Sequence, residues 1–109
     1  MGYILHGERE YQFEDRTLAH LKTVIGQKLA KREGFFLSWT QPPEEGSGRN
    51  SLWISEHTTI AFRFSGAKAP ELNPEWLHVL AALSHSTRGL TVISESEAAK
   101  YAKRNPLIA

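Results

Sequence analysis

Between Tyr3 and Glu33 the spacing of apolar residues changes from two to three or four, and this switch constrains the fold more than any other feature. Tyr3 to His6 and Arg9 to Phe13 read as two short strands around Gly7-Glu8. Glycine in the first central position suits a type II′ hairpin turn. That turn pairs His6 with Arg9 and Ile4 with Tyr11, so Ile4, Tyr11 and Phe13 share the core face. Tyr3 and Leu5 fall on the other face with Glu10 and Gln12. A helix is expected from about Arg16 to Glu33, capped by Asp15 and stopped by Gly34 as its C′ residue. Leu18, Leu21, Ile25 and Leu29 form its buried stripe, with His20, Thr23 and Gln27 nearly opposite. Beside the buried stripe run the small residues Ala19, Thr23, Gly26 and Ala30, where a second helix of the same domain is expected to pack closely.

Gly34 to Thr40, Ser51 to Ser55 and Thr59 to Phe64 read as three further strands in a meander, with a loop at Gln41 to Asn50. Asn73-Pro74-Glu75 is a strong helix start, supplying a cap, a proline at the first position and an early carboxylate. Trp76, Val79, Leu80 and Leu83 are its buried stripe, and the helix should stop before Gly89. Leu90 to Ser94 reads as a last strand. Ser94-Glu95-Ser96-Glu97 then offers a capping box for a short helix through Arg104. The order ββαβββαβ implies an α+β fold with a mixed, largely antiparallel sheet, two main helices on one face and a short C-terminal helix or tail. Residues 1–94 are expected to form the single domain, and residues 95–109 that helix or tail.

A chain of 109 residues supports one core and not two. Its 13 basic and 12 acidic residues nearly cancel, which gives no one-sided field for non-specific nucleic-acid binding. Without cysteine there is no disulfide framework, thiolate chemistry or Cys-based zinc site. No apolar run suits a signal peptide or a membrane span, so a cytoplasmic protein with no membrane partner is expected.

The five histidines, at positions 6, 20, 57, 78 and 85, show neither His-x-His nor His-Glu-x-x-His spacing. Glu75, His78 and His85 could share a helix face, but a solvated one, so no metal is expected. There is no Gly-x-Ser-x-Gly elbow for serine chemistry. Gly46-Ser47-Gly48-Arg49-Asn50 lacks the Gly-Lys-Ser/Thr entry into a helix that a phosphate loop needs. Glu44-Glu45 and Glu95/Glu97 lie in exposed contexts. No catalytic residue and no cofactor is expected.

The segments Asp15-Arg16-Thr17-Leu18-Ala19-His20-Leu21, Phe36-Leu37-Ser38-Trp39, Gly48-Arg49-Asn50-Ser51-Leu52-Trp53 and Leu72-Asn73-Pro74-Glu75-Trp76 resemble a family of short uncharacterised actinobacterial proteins. The resemblance covers most of residues 3 to 94. Proteins of that family often carry the name ATP-dependent DNA ligase, which implies an association with DNA metabolism. Adenylating ligases use the lysine of Lys-x-Asp-Gly-x-Arg, and the nearest match is Lys31-Arg32-Glu33-Gly34-Phe35-Phe36. Glutamate replaces the aspartate and the final arginine is missing, so ligase activity is not expected.

The leading expectation is a non-catalytic binding or adaptor domain that self-associates through an aromatic sheet face or a strand edge. Its partner-binding residues would be Tyr3, Leu5, Phe36, Trp53 and Ile93, unless the C-terminal segment with Tyr101, Leu107 and Ile108 covers them. The alternative is a nucleic-acid accessory protein using Lys28, Lys31, Arg32, Lys100, Lys103 and Arg104, with Trp39 or Trp53 stacking on bases. A third reading, a small enzyme, would require His20, His57 or Arg49 to assemble from distant segments.

Overall fold

A computed structural model describes residues 1–41 and 48–105. The chain is α+β, with elements in the order ββαβββαβα. Strands β1 (Gly2–His6) and β2 (Arg9–Phe13) form the expected hairpin, with His6 opposite Arg9 and Ile4 opposite Tyr11. Of the two turn residues only Gly7 has a positive φ, 63°, the pattern of a II′ turn rather than I′. Ile4 and Phe13 are buried and Tyr11 packs against them.

Helix α1 spans Asp15–Ala30, and neither of its ends follows the local signals. Its N-cap is Glu14, whose side chain makes no capping bond. Asp15 instead reaches across the chain, and its carboxylate accepts from the backbone N–H groups of Ser65 and Gly66 at 2.9–3.2 Å. At the other end Arg32, not Gly34, takes the left-handed conformation, with φ 58°. Glu33 N–H then bonds Lys28 O and Arg32 N–H bonds Leu29 O, the paired bonds of a Schellman motif.

The buried face of α1 is wider than the expected stripe. It holds Leu18, Leu21, Val24 and Ile25, and also His20 and Lys28. His20 is completely buried, contrary to its expected outward position, because both ring nitrogens find partners. The small-residue stripe is not covered by a helix. Gly26 is exposed and a Cβ there would meet nothing within 4 Å. The stripe lines an open groove walled by Phe64, Ala67, Pro70 and Leu72, because the 64–72 connection and not the next helix lies alongside it.

Strands β3 (Phe35–Gln41) and β4 (Gly48–Ile54) pair in antiparallel register, with Leu37 opposite Leu52. Strand β4 starts earlier than expected because Gly48, Arg49 and Asn50 pair with Gln41, Thr40 and Trp39. Strand β5 (Ile60–Arg63) then leaves the expected meander and pairs with β1. A turn explains the departure: Thr58 N–H bonds Ser55 O, while Ser55 N–H bonds Thr58 Oγ1, so the chain is redirected after Ile54. The register sets Phe62 opposite Ile4, on the core face.

Helix α2 (Pro74–Leu83) begins as its sequence dictates, with Asn73 Oδ1 accepting from the N–H groups of Glu75 and Trp76. Strand β6 (Leu90–Thr91) pairs parallel to β3. Helix α3 (Glu95–Arg104) opens with the full capping box between Ser94 and Glu97 and packs Ala98 and Ala102 against α2. The strands thus make two three-stranded sheets, β2-β1-β5 and β4-β3-β6. Trp39 joins them, its indole standing edge-on to Tyr11 and Phe13 at 5.2 and 5.1 Å.

Candidate protein-binding face

Alternation along the β3–β4 hairpin sends Phe35, Leu37, Leu52 and Ile54 into the core. Their neighbours Phe36, Ser38 and Thr40 face outward, opposite Trp53, Ser51 and Arg49. Phe36 and Trp53 are 46% and 51% exposed, yet their rings meet edge to face with centroids 5.2 Å apart. Such a contact contributes about 0.5–1.5 kcal/mol beyond its buried area, so the two rings form one preorganised patch. Gly34 is part of this arrangement. A Cβ there would lie 2.6 Å from Trp53 Cζ2, so its missing side chain is what lets the indole lie down over the strand entry.

Beside the rings an open groove of about 990 Å³ runs over the outer face of β4-β3-β6. Ser38, Ser51 and Thr91 furnish its floor with hydroxyls, and Arg49, Arg88 and Glu97 stand at its margins. Ser38 Oγ and Ser51 Oγ are 2.9 Å apart across the strands. The groove therefore offers apolar contact at one end and hydrogen-bonding groups along its length.

Of the five partner-binding residues expected from sequence, Phe36, Trp53 and Ile93 belong to the β3–β4–β6 region. Ile93 is half-buried and its carbonyl accepts from Trp76 Nε1 at 3.1 Å. Tyr3 and Leu5 sit on the other sheet, half-buried, opposite Arg63 and Ala61. The Arg63 guanidinium lies over the Tyr3 ring at 5.0 Å. Tyr101 packs against the core, while Leu107 and Ile108 lie outside the described residues.

The six basic residues also differ in setting. Lys28 is buried, with Nζ 3.1 Å from Glu33 Oε2, 3.2 Å from Ser84 Oγ and over the ring of Phe35. Its hydrogen bond and charge hold the Glu33 carboxyl below its ordinary value. Arg32 lies 3.6 Å from Glu56, and Lys31 is exposed beside it. Lys100, Lys103 and Arg104 are exposed on α3.

The histidines do not gather. His20 Nδ1–H donates to Arg16 O at 2.7 Å, Nε2 accepts from Asn73 N–H at 2.8 Å, and the ring stacks on Trp76. The Asn73 bond requires a lone pair on Nε2 and so places the proton on Nδ1. His57 is exposed next to Glu56, and Arg49 lies at the groove on β4. Among the described residues no three His, Asp or Glu side chains converge as a metal site. Glu44, Glu45, Gly46 and Ser47 lie outside the described residues.

Sequence reasoning missed a polar node next to His20. Arg16 donates to both Glu95 oxygens at 3.1 and 2.7 Å, and Asn73 Nδ2 donates to Glu95 Oε2 at 2.7 Å. The Arg16 bond, then the Asn73 bond, hold the Glu95 carboxyl down from its ordinary 4.5 to about 2. Val24, one turn beyond His20, was the available signal that this side of α1 is buried. Every polar group in the node is satisfied by a neighbour, so it organises the fold.

The fold and its exposed aromatic pair define an α+β domain with a preformed apolar patch. The chain belongs to a family defined by a domain of unknown function, DUF7882, whose profile matches residues 1–95. No curated protein and no solved structure matches it. No helix of the described residues is long and apolar enough to cross a membrane.

Proposed function

We propose that this is a non-catalytic protein-binding domain that self-associates through the outer side of the β4-β3-β6 sheet. The observation that carries the reading is the Phe36–Trp53 pair, two large aromatic rings held together and half open to solvent. Aromatic anchors of this kind supply most of the energy at protein interfaces, especially when polar groups surround them. The hydroxyls of Ser38, Ser51 and Thr91 provide that surround. The rival nucleic-acid reading loses one of its cations, because Lys28 is buried against Glu33 and Ser84.

Light scattering across a concentration series tests the proposal. The wild-type mass should rise above the 12.3 kDa of one chain, and a Phe36→Ala/Trp53→Ala variant should stay nearer the monomer while remaining folded. A wild-type chain that is monomeric throughout overturns self-association. Tight binding of a short DNA duplex that weakens steeply with salt would favour the nucleic-acid role instead.

A further inference from the structure

Strand β4 lies at the edge of its sheet, and the direction of its backbone groups follows from its neighbours. Val92 N–H donates to Ser38 O at 2.9 Å, so the Ser38 peptide groups face β6. Backbone groups alternate along a strand, so those of Leu37 face β4 and bond its partner Leu52. By the same alternation the N–H and C=O groups of Arg49, Ser51 and Trp53 point away from β3. Among the described residues no strand pairs with them.

Other edges are poorer templates. Strand β2 carries Arg9 and Glu10, β5 has four residues including Arg63, and β6 has two. Strand β4 has seven residues and only one charge, Arg49. Long edge strands with little charge are the ones that recruit another strand.

We infer that the partner strand is β4 of a second copy, added antiparallel at this edge with the two-fold axis through Ser51. The inference rests on the self-association reading above and gives it a geometry. A two-fold axis normal to the sheet keeps both outer faces on the same side and requires paired residues of the same parity. Centring on Ser51 is the register that uses all three outward residues: Ser51 meets its own copy, and Arg49 meets Trp53 of the other chain. Each Arg49 side chain then lies beside the partner's indole on the outer face, a favourable cation–aromatic pairing. The two aromatic patches become parts of one continuous six-stranded sheet, β6-β3-β4-β4-β3-β6.

One side chain already visits this edge, since His6 Nε2–H donates to Trp53 O at 3.2 Å. A carbonyl oxygen has two lone pairs and accepts both this bond and one from an incoming Arg49 N–H.

The test uses two single variants of the full chain. Ser51→Pro removes an outward donor without touching the ladder to β3, and proline is tolerated on such an edge. It should leave the chain folded and weaken the dimer by tenfold or more. Because the chain has no cysteine, Ser51→Cys introduces one thiol. Directly opposite residues have Cα atoms about 5.5 Å apart, within disulfide range, so oxidation should trap a covalent dimer. Thr40→Cys, on β3 opposite Arg49, is the control, since three strand spacings across and four residues along the strands put its two copies about 20 Å apart. If the wild type is dimeric but Ser51→Pro dimerises equally well and Ser51→Cys cross-links no faster than Thr40→Cys, the edge geometry is wrong and self-association stands. A monomeric wild type removes both.

Discussion

The backbone N–H of Asn73 donates to His20 Nε2 at 2.8 Å, so the first turn of α2 is fastened to the middle of α1 by an imidazole acceptor. Replacing His20 with Phe keeps a ring against Trp76 but removes that acceptor from a site that is completely buried. Leaving a buried donor unpaired costs about 1–3 kcal/mol. The His20→Phe variant should show that loss in urea unfolding; unchanged stability would mean that the bond contributes little.

Glu95 gives the domain an acid-side dependence. Its folded-state carboxyl is held near 2 by Arg16 and then Asn73, against an ordinary 4.5. A depressed carboxyl stabilises the folded state above its unfolded value and loses that contribution as pH falls through the folded one. Asp15, held low by the Gly66 and then the Ser65 backbone N–H, acts in the same direction. Wild type should therefore exceed Glu95→Gln in thermal midpoint near neutrality, and the gap should close between pH 4.5 and 2. A gap independent of pH would assign the loss to packing.

Arg32 occupies left-handed space at the end of α1, with φ 58°. That conformation costs a side-chain-bearing residue about 1–2 kcal/mol relative to glycine. The exposed contact with Glu56 at 3.6 Å offsets little of it. Arg32→Gly should raise stability by about 1 kcal/mol, measured by denaturant midpoint at constant slope. A decrease would show that the Glu56 contact outweighs the strain.

Gly26 sits within α1 with open space around it. Gly26→Ala should stabilise the chain by about 1 kcal/mol, since alanine restricts the unfolded state and meets no neighbour. Destabilisation would mean that something not seen here occupies the groove beside it.

Local signals were legible where the structure answers them locally. The Gly7-Glu8 turn fixed a hairpin register to the residue, and Asn73 and Ser94 cap the helices they precede. Local signals misled where a distant partner claimed the residue. Asp15 looks like a helix cap but binds Ser65 and Gly66, and Gly34 looks like a helix stop but makes room for Trp53. His20 reads as a surface residue until Arg16 O and Asn73 N–H supply both of its partners. Alternation in Thr59 to Phe64 tells which residues share a face, but not which strand they join; the pairing of β5 with β1 was therefore hidden. The β3–β4 register makes Phe36 and Trp53 neighbours, while the pairing of β1 with β5 keeps Tyr3 and Leu5 on the other sheet.

Trp39 has a mechanical consequence. Among the described residues no ladder crosses between the two sheets, and side chains bridge them instead, among them Trp39 against Tyr11 and Phe13 and His6 against Trp53 O. The domain thus has a seam, a line crossed by side-chain contacts and, among the described residues, by no backbone ladder. A strand added at the outer edge of β4, as proposed, would extend the sheet on one side of that seam and leave the hairpin of β1 and β2 on the other.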